Sequence, residues 1–392
     1  MNEQLSDQLE HYRAQQLYRA RRIVEGPQGA EIVMGGRPVL CFCSNDYLGL
    51  ANHPLVVEAL RQGALDYGAG SGAAHLICGH QTPHHELEEE LAAFTHRPRA
   101  LLFSTGYMAN LGVISALAQA VHVIHEDRFN HASLLDAALL SGARLKRYPH
   151  GDMATLEKSL AADAEHGKIA LIASDGVFSM DGDLAPAPEL AELARRYTAW
   201  LVIDDAHGFG VLGETGGGIL EHYGMLGERG GAHALIGTLG KAFGSFGAFV
   251  AGSKELIEML IQQARSYIYT TALPPALAEA TRASLRIVQN EGWRREHLHK
   301  LIARFRAGAQ LLKLPLISSA TPIQPLLAGS NETAMAWSDA LLTRGILVTA
   351  IRSPSVPRGS ERLRITLSAA HSEAQVDRLL ETLAIVCANS LQ

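Results

Sequence analysis

Six short apolar runs, Ala100–Phe103, Val121–Ile124, Ile169–Ala173, Trp200–Ile203, Ala234–Ile236 and Ala248–Ala251, constrain the fold more than any other feature of the chain. Helix-period segments lie between most of them, among them Asn110–Gln119, Ser133–Leu140, Met153–Asp163 and Ala187–Tyr197. Strands that are apolar on both faces must be covered on both faces, so the pattern predicts an α/β architecture with a mostly parallel sheet covered by helices. Ligands in such sheets bind at the carboxyl ends of the strands. At 392 residues the chain is long for one domain. After about residue 285 the pattern changes to a long charged helix (Ala283–Leu312), strands at Ile323–Leu327, Ile346–Thr349 and Arg362–Thr366, and a closing helix, Glu373–Ala388. The expected division is an N-terminal segment over 1–45, a large domain over 46–285 and a smaller α+β domain over 286–392.

The formal charge of −6 argues against an electrostatic nucleic-acid binder. No apolar run approaches the roughly 18 residues needed to span a bilayer, and the polar N-terminus lacks a signal-peptide core. Four cysteines (Cys41, Cys43, Cys78, Cys387) make neither a disulfide framework nor a paired zinc pattern. A cytoplasmic location is expected, with no nucleic acid and no membrane among the partners.

The polar residues just beyond the strands carry chemistry. Ser104–Asn110 reads as a tight glycine turn and a helix start, where free backbone N–H groups can take a phosphate. Asp204-Asp205-Ala206-His207-Gly208 puts a carboxylate at a strand end and an imidazole three residues later, able to address two atoms of one planar ring; a helix cap is the plainer role for such an Asp. His131 stands just before a helix, where capping is the alternative, and Ser179 lies on a loop after the third strand. Lys241 sits in the turn Thr238-Leu239-Gly240-Lys241-Ala242-Phe243-Gly244, with a hydroxyl three residues before it. Small neighbours leave its ammonium open to a ligand, and desolvation would lower its pKa toward reactivity. Together these groups supply what pyridoxal phosphate (PLP) requires: a lysine for the aldehyde, a carboxylate for the pyridinium nitrogen, a histidine for the phenolic oxygen, a flat imidazole to stack and a phosphate cradle. No metal is called for.

Ser44–Leu50, Asn130–Ser133, Asp175–Gly182, Asp204–Gly208 and Gly237–Lys241, in register over nearly the whole chain from about Arg19, resemble the α-oxoamine synthases. These are fold-type I PLP-dependent transferases that condense an amino acid with an acyl thioester and release CO2. The resemblance implies that Lys241 carries the cofactor, Asp204 meets the pyridine nitrogen, His207 the phenolic oxygen, and His131 stacks on the ring. It implies that Gly106, Tyr107 and Thr238 help hold the cofactor, with Ser179 close to cofactor and substrate carboxylate. Asn45 and Arg364 would bind the amino-acid carboxylate, and Arg19 and Thr349 the acyl substrate, with Arg21 and Arg22 as alternatives to Arg19. Val348–Pro357 and Arg362–Leu367, with Ala206, are most similar to the branch that joins L-alanine to a pimeloyl thioester of coenzyme A or an acyl carrier protein. A glycine-using sibling and an aminotransferase are the same-class alternatives. A homodimer is also implied, with Gly68–Gly72 and Tyr269-Thr270-Thr271 reaching toward the neighbouring site.

Gly70–His75 departs from the family's usual run ending in a basic residue, and Gly216-Gly217-Gly218 lacks an arginine often found there. A different-class alternative is a metal-binding protein or hydrolase built on Cys78, His80, His84 and His85, for which polar loop residues are the plainer explanation.

Overall fold

The computed structural model of the chain describes residues 2–15, 17–227 and 230–388. They fall into two compact units, one built from residues 46–179 and 183–296, the other from those before 46, 180–182 and those from 297 onward. In chain order the strands are β1 (Glu31–Met34) and β2 (Arg37–Cys41), then β3 (Arg99–Phe103), β4 (Val123–Asp127), β5 (Arg144–Tyr148), β6 (Ala170–Asp175), β7 (Trp200–Asp204), β8 (Ala234–Thr238) and β9 (Ala248–Gly252). The last four are β10 (Ile323–Leu327), β11 (Ile346–Leu347), β12 (Thr349–Ile351) and β13 (Arg362–Thr366).

The first unit is built on a seven-stranded sheet of order β3-β9-β8-β7-β6-β4-β5. The pairs β8–β7, β7–β6, β6–β4 and β4–β5 are parallel, and β9 runs antiparallel to both its neighbours. This is the mostly parallel α/β sheet that the apolar runs predict. Leu101, Ile124, Leu171, Val202, Ile236 and Val250 from its strands are buried with Val113, Ile114 and Leu117 of the helix Gly106–Leu117. The edge strand β5 (Arg-Leu-Lys-Arg-Tyr) was not legible as a strand, because an edge covered on one side tolerates charge where a central strand does not.

The long helix expected over Ala283–Leu312 is instead two helices, Pro275–Asn290 and Trp293–Leu311. The chain leaves helical geometry at Glu291, just before Gly292, a residue that disfavours helix interiors by about 1 kcal/mol. Arg295 then ties the corner by donating to the carbonyls of Val288 and Glu214 at 2.7 and 3.1 Å.

The second unit holds two three-stranded sheets, β1-β2-β11 and β10-β13-β12. The single strand expected over Ile346–Thr349 divides between them, β11 pairing parallel with β2 and β12 antiparallel with β13. Val348, at the crossing, accepts a hydrogen bond from the Ser338 hydroxyl at 2.7 Å. Residues 180–182 belong here because the Ser319 and Thr321 hydroxyls donate to the Gly182 carbonyl at 2.8 and 2.9 Å, and Arg362 donates to Asp181 at 2.6 Å. Gly182 has a left-handed backbone (φ +72°), and a Cβ there would come 2.5 Å from the Ile323 carbonyl oxygen, so no other residue fits. Among the described residues no helix is long and apolar enough to cross a membrane.

Candidate active site

Four parallel strands of the large sheet end in polar residues, and their carboxyl ends surround a cavity of about 190 Å³. It is lined by Gly106, Tyr107, His131, Ser179, Asp204, His207, Thr238 and Lys241, the eight residues expected from the sequence to serve catalysis or cofactor. Asn110, Ser133, Asp175, Val177 and Ala206 complete the wall.

Asp204 is the last residue of β7, and successive strand residues point to opposite faces. Asp204 therefore faces the cavity while Asp205 turns into the protein, where its Oδ2 accepts from the Ile219 backbone N–H at 2.7 Å. Gly208 packs against that second carboxylate, and a Cβ there would meet Asp205 Oδ1 at 2.1 Å. The two adjacent acids thus have separate tasks. Burial pushes the Asp205 carboxyl well above its ordinary range.

Asp204 is held from two sides. Its Oδ1 accepts from Ala206 N–H at 3.0 Å and its Oδ2 from the Asn110 side-chain amide at 2.6 Å. The same amide donates to Ser133 Oγ at 2.8 Å, which lies 2.7 Å from Nδ1 of His131. His131 does cap the helix Ala132–Ser141, accepting from Ser133 N–H, and it also lines the cavity; the two readings of this residue coexist. Its pKa is lowered, by desolvation first and by the charge of Lys241 with it, against the charge of Asp204. The ring is therefore neutral at pH 7. Asp175, at the end of β6, accepts from His131 N–H at 3.0 Å, and burial and then the Asp204 charge drive its carboxyl toward the neutral form.

Lys241 Nζ lies 2.9 Å from Nε2 of His207, whose Nδ1 is 2.7 Å from the hydroxyl of fully buried Tyr47. Thr105 caps the helix that begins at Gly106, its hydroxyl accepting from Met108 N–H at 3.2 Å, and a Cβ at Gly106 would meet nothing within 4 Å. The helix start and Thr238 line the same cavity, and the backbone N–H groups of a helix N-terminus suit a phosphate. The donor set suits PLP: an amine, a carboxylate, imidazoles and an anion cradle converge, and buried Asn110 Oδ1 and Asp175 Oδ1 lack partners in the wall. Asn110 and Ser133 were quoted in the sequence motifs without a role. The signal was Asn110 four residues after Gly106, a buried polar side chain in a mostly apolar helix.

The remaining expected residues lie in the other unit. Arg364, buried on β13, donates to Asn45 Oδ1 at 3.2 Å and is the register partner of Thr349 on β12. Thr349 and exposed Arg19 line a separate cavity of about 440 Å³ with Tyr18, Arg22, Ser338 and Arg352. Arg22 is therefore as well placed there as Arg19, whereas Arg21 is absent from that wall.

Known proteins resemble this chain over nearly its whole length. The family model for aminotransferase class I and II matches residues 37–383. The 8-amino-7-oxononanoate synthase of Thioalkalivibrio sulfidiphilus is 62% identical over 97% of this chain and 96% of its own length. That of Nitrosococcus oceani is 62% identical over 96% and 99%. Among solved structures, a serine palmitoyltransferase from S. paucimobilis with bound PLP and myriocin superposes with a TM-score of 0.91 at 27% identity, covering 97% of this chain and 96% of that one. The 8-amino-7-oxononanoate synthase of Francisella tularensis superposes with a TM-score of 0.78 at 31% identity, covering 90% and 99%.

Proposed function

Because the chain belongs to the 8-amino-7-oxononanoate synthases, PLP-dependent acyltransferases of biotin biosynthesis with the fold-type I architecture, we propose that it condenses L-alanine with a pimeloyl thioester. The α-carbon of alanine forms a bond to the acyl carbon as the C–S bond breaks. The thiol and CO2 leave, and the product is 8-amino-7-oxononanoate. The convergence of Lys241, Asp204, His207 and His131 on one cavity at the strand ends is the observation that supports this reading.

Bound there, PLP supplies an electron sink for the bond-breaking at the amino acid's α-carbon. Lys241 would hold it through Nζ, and the same amine would be the base for the alanine α-proton; one group in both roles gives the required proximity. Asp204 would meet the pyridine nitrogen, and Asn110 aims that carboxylate with a 2.6 Å hydrogen bond. His207 serves the phenolic oxygen, oriented by Tyr47. The neutral ring of His131 offers a flat stacking face. Gly106, Tyr107 and Thr238 hold the phosphate end, with Ser179 near the substrate carboxylate. Arg364, backed by Asn45, offers a planar guanidinium fork to the alanine carboxylate. Arg19 and Thr349 contact the acyl chain. The thiol is coenzyme A or an acyl carrier protein, and the enzyme works as a cytoplasmic homodimer. Measuring free thiol and CO2 together tests the reaction. Equal release of both from alanine and pimeloyl thioester is expected, and amino-group transfer without CO2 would overturn it.

A further inference from the structure

Three histidines outside the Lys241 cavity meet at one point. His75 opens the π-helical turn His75–Gly79, His80 follows it, and His84 lies in the first turn of the helix Thr82–Phe94. Their ring centroids are 5.2 Å apart for His75–His80, 5.2 Å for His75–His84 and 5.8 Å for His80–His84. Imidazoles sharing one tetrahedral ion at metal–nitrogen distances of about 2.0–2.1 Å would have centroids about 5.2 Å apart. Nδ1 of His75 and Nδ1 of His80 are 3.0 Å apart, close to the roughly 3.3 Å between two nitrogens on such an ion. A hydrogen bond between those two rings would account for that one distance but not for the third ring, 5.2 Å from one and 5.8 Å from the other.

His84 is set up as a ligand from behind. Its Nε2–H donates to the Leu273 carbonyl at 2.7 Å, which leaves the lone pair on Nδ1, now accepting from Gln81 N–H at 3.0 Å. An N–H anchored on a buried carbonyl is the arrangement that orients metal-bound histidines. His75 is braced by stacking on Tyr267, with centroids 4.9 Å apart and planes within 14°.

We propose that His75, His80 and His84 bind one divalent transition-metal ion, with water completing the tetrahedron. Three neutral nitrogen ligands select zinc and its neighbours over magnesium or calcium. The neighbouring candidates stand outside this set. His85 is exposed beside Glu89, 3.4 Å away. Glu88 is buried, accepts from Leu102 N–H at 2.9 Å, and is pushed by burial to about 8, so its carboxyl is protonated and a poor ligand. Cys78 is exposed. The ion would pin the segment 75–84 to Leu273, whose carbonyl also accepts from Ser71 at 2.7 Å.

Equilibrium dialysis of the cofactor-loaded full chain against Zn²⁺ tests the site. One equivalent bound by the wild type and lost in His80→Gln, but retained in His85→Gln and Cys78→Ser, is the expected result. Substituting Co²⁺ should give the intense visible absorption of a tetrahedral site, and Zn²⁺ should raise the melting temperature of the wild type but not of His80→Gln. Because His80 is only partly buried, its variant is checked for native circular dichroism before dialysis. No bound ion in the wild type, wild-type binding by folded His80→Gln, or loss of the ion in His85→Gln or Cys78→Ser would each overturn the assignment.

Discussion

The side-chain nitrogen of Lys241 stands 2.9 Å from Nε2 of His207, and the opposite ring nitrogen of His207 stands 2.7 Å from the hydroxyl of Tyr47. Both ring nitrogens of His207 are thus engaged, one by the amine and one by the phenol. A residue from the start of the large unit thus holds in place an imidazole that follows strand β7 into the cavity. The ring cannot rotate away from the lysine without losing one of these contacts.

Lys241→Ala should abolish both the visible absorbance of the cofactor-loaded protein and turnover, and the wild type treated with borohydride should carry the reduced cofactor on the peptide containing Lys241. Absorbance spectra and peptide mass mapping read the two effects. Retention of the absorbance band with full turnover would contradict the assignment of this lysine.

Asp204→Asn should preserve the fold and slow exchange of the alanine α-proton by roughly 10²–10³, as expected for losing about 2–4 kcal/mol of charge stabilisation. The new amide would also face the Asn110 donor now 2.6 Å from Asp204 Oδ2. Proton exchange followed by NMR, with circular dichroism as the control, measures it. Near wild-type exchange would remove Asp204 from the proposed role.

His150 should make stability depend on alkaline pH. Its nitrogens lie 3.0 Å from Asp127 and 2.8 Å from Asp183, linking the ends of two loops that carry His131 and Ser179. Burial opposes the imidazolium, but the hydrogen bonds and charges of the two carboxylates prevail and push its pKa to about 10. Because the folded value is raised, the stabilisation is complete below the unfolded value of about 6.5 and is lost as pH rises toward 10. Urea midpoints measured from pH 6 to 10 should fall more steeply for the wild type than for His150→Gln. Parallel curves would refute the clamp.

The substrate preference should be uneven. Accepting one more methyl gains only about 1–3 kcal/mol, so alanine should exceed glycine by roughly 10–200-fold in kcat/KM. Several buried methylenes at about 0.8 kcal/mol each should separate pimeloyl from acetyl and succinyl thioesters more sharply. A matrix of two amino acids and three thioesters decides it, and glycine with acetyl thioester as the best pair would reassign the chain to the glycine-using sibling.

Much of this organisation was legible in the residues themselves. The buried strands β3, β7, β8 and β9 contain four of the apolar runs and β6 and β4 overlap the other two, because a strand enclosed on both faces is apolar through its middle. The closing helix Glu373–Ala388 follows its own apolar period. The charged edge strand β5 and the division of residues 346–351 between two sheets were not legible, since both depend on which partner lies alongside.

The same boundary runs through the site. Local spacing by itself put Asp204 and Lys241 just beyond strands and Gly106 at a helix start, because a strand-to-helix turn is a property of a few consecutive residues. Only the tertiary structure decided that Asn110 holds Asp204 from 94 positions away, that Tyr47 reaches His207 across 160, and that three histidine rings converge within 5.8 Å of one another. Those relationships depend on strand order and helix docking, which bring distant residues together through packing that no short window of sequence encodes.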